Sequence, residues 1–191
     1  MIHSSLAAPA SANDILTAVD GPVALFLDVD GTLLDIADRP ERVVVPPGLV
    51  DVLARAERRL DGALALVTGR EIAEIDRLFR PLKLRAAVVH GAELRFDPDA
   101  APTPFPGTAE LPASLWNGLT ETLREFPGTF AENKRYSFTV HYRLAPGVKE
   151  PLRKAVIRVV QAEPESAVEV MNARRAIELK APGYDLSLIH I

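Results

Sequence analysis

Five apolar residues in a row, Val23-Ala24-Leu25-Phe26-Leu27, run straight into Asp28-Val29-Asp30-Gly31-Thr32-Leu33. No other feature restricts the fold as much. An unbroken apolar run of this length reads as a strand buried on both faces, which is the habit of parallel sheets covered by helices. Two carboxylates two residues apart at its end then sit where ligands collect in open α/β sheets, just beyond the carboxyl ends of the strands. Glycine permits a sharp turn and close approach of a bound group, and the hydroxyl and backbone N–H groups that follow suit phosphate oxygens. Asp-Gly turns are also common as plain solvated loops, and two acids can simply end a strand. A calcium loop of the helix–loop–helix type is excluded, because Leu33 stands at its sixth position and Arg39 at its twelfth, where glycine and glutamate are needed.

The pattern downstream keeps alternating short apolar runs with helical periods, an α/β arrangement. Pro47–Leu60 carries Leu49, Leu53, Ala56 and Leu60 on one helical face, and Ala63–Val67 is a second buried strand. Glu71–Phe79 stripes Ile72, Ile75, Leu78 and Phe79 before Pro81 stops it, and Ala86–Val89 is a third strand ending at His90-Gly91. Asp97–Pro112 holds five prolines and reads as a linker or long loop. Beyond it come a helix over Ala113–Phe126, a half-exposed strand over Tyr136–Tyr142, a helix over Val148–Gln161, and strands at Ala167–Met171 and Ala176–Lys180. The expected division is an extension over 1–22, a core segment over 23–99, an α+β unit over 100–180, and a return toward the core over 181–191.

Twenty-two basic against 26 acidic residues, a net charge of −4, give no footprint for nucleic acid. An anionic ligand would need local positive charge. The absence of cysteine removes disulfides, zinc–thiolate sites and thiol nucleophiles, and fits a reducing compartment. No apolar run reaches the length of a membrane span and Met1–Ala12 has no basic, apolar leader pattern, so a cytoplasmic location is expected.

The string Asp28-Val29-Asp30-Gly31-Thr32 resembles the first motif of the haloacid dehalogenase phosphatases, and Thr68-Gly69-Arg70 at the end of the second strand resembles their second. Thr68 is equally suited to cap the helix behind it, and Arg70 either faces substrate or solvates that helix. The run Asp61–Arg70, then Val89-His90-Gly91-Ala92-Glu93, Glu132-Asn133-Lys134 and His141-Tyr142-Arg143 are similar to bacterial trehalose-phosphate phosphatases, over about Leu25 to Asp185. The resemblance implies a haloacid dehalogenase-like core with an inserted cap, Asp28 as nucleophile, Asp30 as acid and base, and Thr68 as a phosphoryl ligand. It implies Mg²⁺ held by the Asp28 carboxylate and the Asp30 backbone carbonyl, since a carboxylate approaches a phosphate dianion only when a hard cation neutralises both. It also implies trehalose 6-phosphate as substrate, a functional link to a trehalose-phosphate synthase, and no nucleic-acid or membrane partner. Gly31, Thr32, Gly69, Arg70, His90, Gly91, Glu132, Lys134, Arg143 and Glu178 become the expected substrate contacts, with carboxylates beside an ammonium reading sugar hydroxyls. Glu132 and Lys134 also suit an exposed strand of mixed charge, and His90 and His141 suit satisfied structural positions. Another sugar phosphate, or a non-catalytic sugar-phosphate sensor, stays open.

The same resemblance calls for a Lys-Gly pair after the cap and a GDD-type acidic cluster on a later strand, but Leu186-Ser187 follows Asp185 instead. Leu186-Ser187-Leu188-Ile189-His190-Ile191 translates CTG TCT CTT ATA CAC ATC, a transposase sequencing adapter, and we expect the reading frame to enter adapter at Leu186; a natural terminal strand is the alternative. A core lacking those strands leaves Val23–Leu27 as an apolar edge, so a poorly soluble, nearly inactive chain is expected.

Overall fold

The computed structural model describes residues 21–37, 42–163, 167–173 and 175–182. The expected extension over 1–22, apart from its last two residues, lies outside them, as do nearly all of 181–191 and the adapter-like tail.

Two sheets organise the chain. In the first, β1 (Leu25–Asp28), β2 (Leu64–Val67) and β3 (Arg85–Val88) run parallel in sequence order. Helix α1 (Leu49–Arg59) makes the first crossover and α2 (Ile72–Leu78) the second. Right-handed crossovers that step in one direction lay both helices on the same face. Leu53, Leu64, Leu66, Ile75 and Leu78 accordingly share one buried cluster. The opposite face has no such cover among the described residues: Phe26 is 52% exposed, and with Ala65, Ala87, Phe96 and Phe105 it borders an open apolar hollow of about 340 Å³. Among the described residues β1 stands at one edge of this sheet.

In the first sheet two strands escape the sequence pattern. β4 (Glu93–Arg95) turns back antiparallel on β3, and the two-residue β5 (Thr103–Pro104) pairs with β4. The first sheet therefore continues past residue 100, into the segment expected to be a loop. Such short strands carry no period, and a proline in one fits only a sheet edge, which is where β5 lies.

The second sheet is antiparallel, in the order β6 (Phe130–Asn133), β7 (Ser137–His141), β9 (Ala176–Lys180), β8 (Glu169–Ala173). Helices α3 (Ala113–Leu123) and α4 (Lys149–Gln161) bury Leu115, Leu119, Leu152 and Val156 together with Phe138, Val140, Ile177 and Leu179. Trp116 packs on Phe138 with ring centroids 5.2 Å apart. The expectation of a half-exposed strand over Tyr136–Tyr142 is corrected here: Ser137, Phe138, Thr139 and Val140 are all buried. β7 lies between β6 and β9, one face takes the helices, and the other faces the first sheet's loops.

Candidate active site

Strand alternation sorts the second sheet's polar residues onto one face. Glu132, Thr139 and Glu178 stand directly opposite one another across β6, β7 and β9, so they form a single row. Lys134 and His141 lie two residues from that row on the same face. This face meets the carboxyl ends of β1, β2 and β3 across a cleft of about 340 Å³, whose lining includes Asp28, Asp30, Thr68, Gly69, Arg70 and His90 from the first sheet and Glu132, Lys134, Thr139, His141, Arg143 and Glu178 from beyond it.

The first-sheet wall follows from local backbone chemistry. Asp28 closes β1, and the Thr32 hydroxyl donates to its Oδ2 at 3.1 Å. Gly31 turns the chain at φ +92°, and its N–H donates to the Leu34 carbonyl at 2.7 Å, which folds the acidic loop onto itself. Thr68 is buried, and its hydroxyl accepts the Arg70 backbone N–H at 3.1 Å. The helix behind it starts only at Ile72, with Glu71 at the capping position, so this bond closes a turn rather than the helix.

Arg70 settles its own ambiguity geometrically. Its Nε and one terminal nitrogen grip both carboxylate oxygens of Asp30 at 2.8 and 2.7 Å, while the other terminal nitrogen meets Glu74. This planar fork is the arrangement at which arginine excels. Burial works against the charge on Arg70, yet Asp30 and then Glu74 outweigh it and hold the guanidinium above its ordinary range. Glu74 itself is pushed up, chiefly by burial.

On the opposite wall Lys134 is buried; its ammonium donates to the Gly69 carbonyl at 2.9 Å and stands 3.6 Å from Glu132. His141 lies 3.1 Å from the other Glu132 oxygen and stacks on Phe130 with centroids 4.5 Å apart. Desolvation opposes ionisation of Glu132, but His141 and Lys134 prevail and its carboxyl falls below the usual range. Glu178 is 7% exposed, with Oε1 2.7 Å from His90 Nε2. Burial again opposes charge there, and His90, Lys134 and Lys180 override it, so this carboxyl too is lowered. Arg143 donates to the Ala37 carbonyl at 2.8 Å, tying the second unit to the chain just after the acidic loop.

Of the residues singled out from sequence, Asp28, Asp30, Thr68, Gly69, Arg70, His90, Glu132, Lys134, Arg143 and Glu178 all line this cleft. Thr32 reaches it through Asp28, and Gly31 shapes the loop. Gly91 instead borders the apolar hollow on the far face of the first sheet. Thr139, His141 and Glu74 join the lining without having been assigned a contact. The signals were present: Thr139 and His141 alternate in step with β7, and Glu74 follows Arg70 by one helical turn. Asp28 and the Asp30 carbonyl are hard oxygen donors that suit Mg²⁺ completed by water; among the described residues no cluster of three or more acidic or histidine side chains would hold a metal alone. Nor, among them, is any helix long and apolar enough to cross a membrane.

Residues 26–188 match the family model described as trehalose-phosphatase. A probable trehalose-phosphate phosphatase of Sinorhizobium fredii is 45% identical over 123 residues, covering 64% of this chain and 46% of that protein. The trehalose-6-phosphate phosphatase of Escherichia coli is 34% identical over 161 residues, 84% of this chain and 59% of that one. The chain thus spans about half the length of these curated relatives. A crystal structure of a trehalose-6-phosphate phosphatase related protein superposes with a TM-score of 0.73 at 26% identity, covering 88% of this chain and 72% of the other. The architecture is haloacid dehalogenase-like.

Proposed function

The chain belongs to the trehalose-phosphatase family, and from that premise we propose that its protein hydrolyses trehalose 6-phosphate to trehalose and phosphate. The observation that carries this reading is the two-sided cleft, with Asp28, Asp30 and Thr68 on one wall and the Glu132–Thr139–Glu178 row beside Lys134 on the other. One wall has nucleophile chemistry; the other has the alternating acceptors and donor that polyol hydroxyls need.

In this reading the Asp28 carboxylate attacks phosphorus and the bond to the sugar oxygen breaks. Asp30 delivers a proton to that oxygen, then accepts one from the water that hydrolyses the aspartyl-phosphate and regenerates Asp28. Both Asp30 oxygens are engaged by Arg70, so the acid step requires one of them to turn toward the substrate. Thr68, Gly31, Thr32 and Gly69 border the phosphoryl end. Glu132, Lys134 and Glu178 border the sugar end, with Arg143 fixing the loop edge between them. Mg²⁺ at Asp28 and the Asp30 carbonyl would neutralise the mutual repulsion of carboxylate and phosphate. A functional link to a trehalose-phosphate synthase, a cytoplasmic location and the core-and-cap division near residue 100 belong to the same reading.

Phosphate release from a panel of trehalose 6-phosphate, sucrose 6-phosphate, glucose 6-phosphate and p-nitrophenyl phosphate tests it. The rate is expected to be highest on trehalose 6-phosphate. Equal rates on all four would remove the sugar assignment, and binding without any release would favour a sensor.

A further inference from the structure

The turn after β3 carries an unusual amount of strain for its size. Val89 and His90 follow one another with φ +48° and +57°, a region that is costly for a non-glycine residue and especially uncommon for a β-branched one. Backbone bonds hold the strained pair in place: the Val89 N–H donates to the Arg70 carbonyl and the His90 N–H to the Thr68 carbonyl, both at 3.0 Å. The His90 ring then lies on Gly69, where a Cβ would overlap its Cε1 and Nε2. Strain, glycine and paired backbone together aim one imidazole across the cleft, and its target is Glu178. His90 Nε2 stands 2.7 Å from the buried Glu178 Oε1, an oxygen on which no other donor is aligned. With that oxygen facing the ring, the carboxylate cannot swing freely, and its other oxygen is the one left for a ligand.

We propose that His90 is a positioning residue for the sugar half of the cleft, held by the Val89–His90 turn and by the absent side chain of Gly69 so that it fixes the Glu178 carboxylate against a ligand hydroxyl. The inference rests on the trehalose 6-phosphate reading and deepens it, since it assigns the first sheet a part in sugar discrimination. It also gives Gly69 a purpose apart from the phosphate. The basic side chains facing Glu178 are His90, Lys134 and Lys180. Removing the ring leaves both lysines in place.

The test measures binding in an Asp28→Asn background, which prevents turnover, for His90→Ala, His90→Gln and Gly69→Ala. Calorimetry reads the affinity for trehalose 6-phosphate and, separately, for inorganic phosphate; carboxyl ¹³C NMR follows the titration of Glu178. Losing one charge-assisted contact corresponds to about a tenfold weaker affinity. That loss is expected for trehalose 6-phosphate in His90→Ala and Gly69→Ala, with inorganic phosphate unchanged in His90→Ala, the Glu178 titration moved upward, and partial recovery in His90→Gln. Gly69→Ala displaces the ring without altering its chemistry, and His90→Ala stands should the glycine variant not fold. Unchanged trehalose 6-phosphate affinity, an equal loss for inorganic phosphate in His90→Ala, or an unmoved Glu178 titration would each overturn the inference alone. Failure of the background itself to bind trehalose 6-phosphate would instead bring down the functional reading and this inference with it.

Discussion

Replacing Arg70 with methionine keeps most of the aliphatic stem and removes every polar contact of the guanidinium. The cost can be worked from the contacts. A buried hydrogen bond to a charged group is worth about 1.5–3 kcal/mol, whereas an exposed ion pair is worth about 0–1 kcal/mol. The Arg70 side chain is only 8% exposed, but Asp30 is 36% exposed, so water recovers much of what that carboxylate loses. Glu74, at 19%, recovers less. Allowing about 1 kcal/mol for the discounted Asp30 fork and about 1–2 kcal/mol for Glu74 gives a loss of about 2–3 kcal/mol. For a chain of this size that lowers Tm by about 5–10 °C. Urea unfolding followed by both circular dichroism and the fluorescence of Trp116 measures it, the latter reporting the second sheet from its contact with Phe138. Arg70→Lys restores charge but not the two-pronged geometry, so it should recover less than half of the loss. A cost below about 0.5 kcal/mol for methionine, or full recovery by lysine, would refute the argument that the fork organises this wall.

Phe138→Ala should cost about 3–5 kcal/mol and shift the Trp116 emission, because Phe138 is fully buried against that ring; unchanged emission would contradict the packing. Glu132→Gln should weaken discrimination for trehalose 6-phosphate over p-nitrophenyl phosphate, and an equal loss on both esters would undermine its assignment to the sugar end. Lowered folded-state values at Glu132 and Glu178 mean stability that is present above the unfolded carboxylate range and lost as pH falls through the folded values. The raised values at Glu71 and Glu74 act with the opposite sign, contributing stability at low pH that is lost as pH rises through theirs. Glu178→Gln should therefore flatten the acid limb of the urea midpoint as pH falls below the ordinary carboxylate range; a limb that superimposes on the parent's would show that the carboxylate is not held in its charged form.

Much of this architecture was legible because the relevant signals are periodic. The apolar run before Asp28, the stripe Ile72–Ile75–Leu78–Phe79 and the alternation through Ser137–His141 each name an element; burial was legible for the helical stripe, whereas β1 leaves Phe26 exposed and β7 is buried on both faces, contrary to their patterns. The strands at Glu93–Arg95 and Thr103–Pro104 were not legible, since segments of two or three residues have no period and prolines argued for a loop. The site residues could be singled out by type and by resemblance, but not what each one touches. That Arg70 would close on Asp30 rather than meet solvent, or that Arg143 would reach the Ala37 carbonyl, depends on where chain segments 40 and 106 residues apart come to lie. His141 shows the same limit, being the expected satisfied histidine and also the group that steadies Glu132.

The central claim is that Asp28 opens a phosphate ester in this cleft, and it is tested most directly by phosphate release from trehalose 6-phosphate with Mg²⁺, at protein-stoichiometric substrate, for the parent chain beside Asp28→Asn. The account predicts release, however slow, by the parent and none above background in the variant, with both chains folded by circular dichroism. Equal release by the two would contradict it.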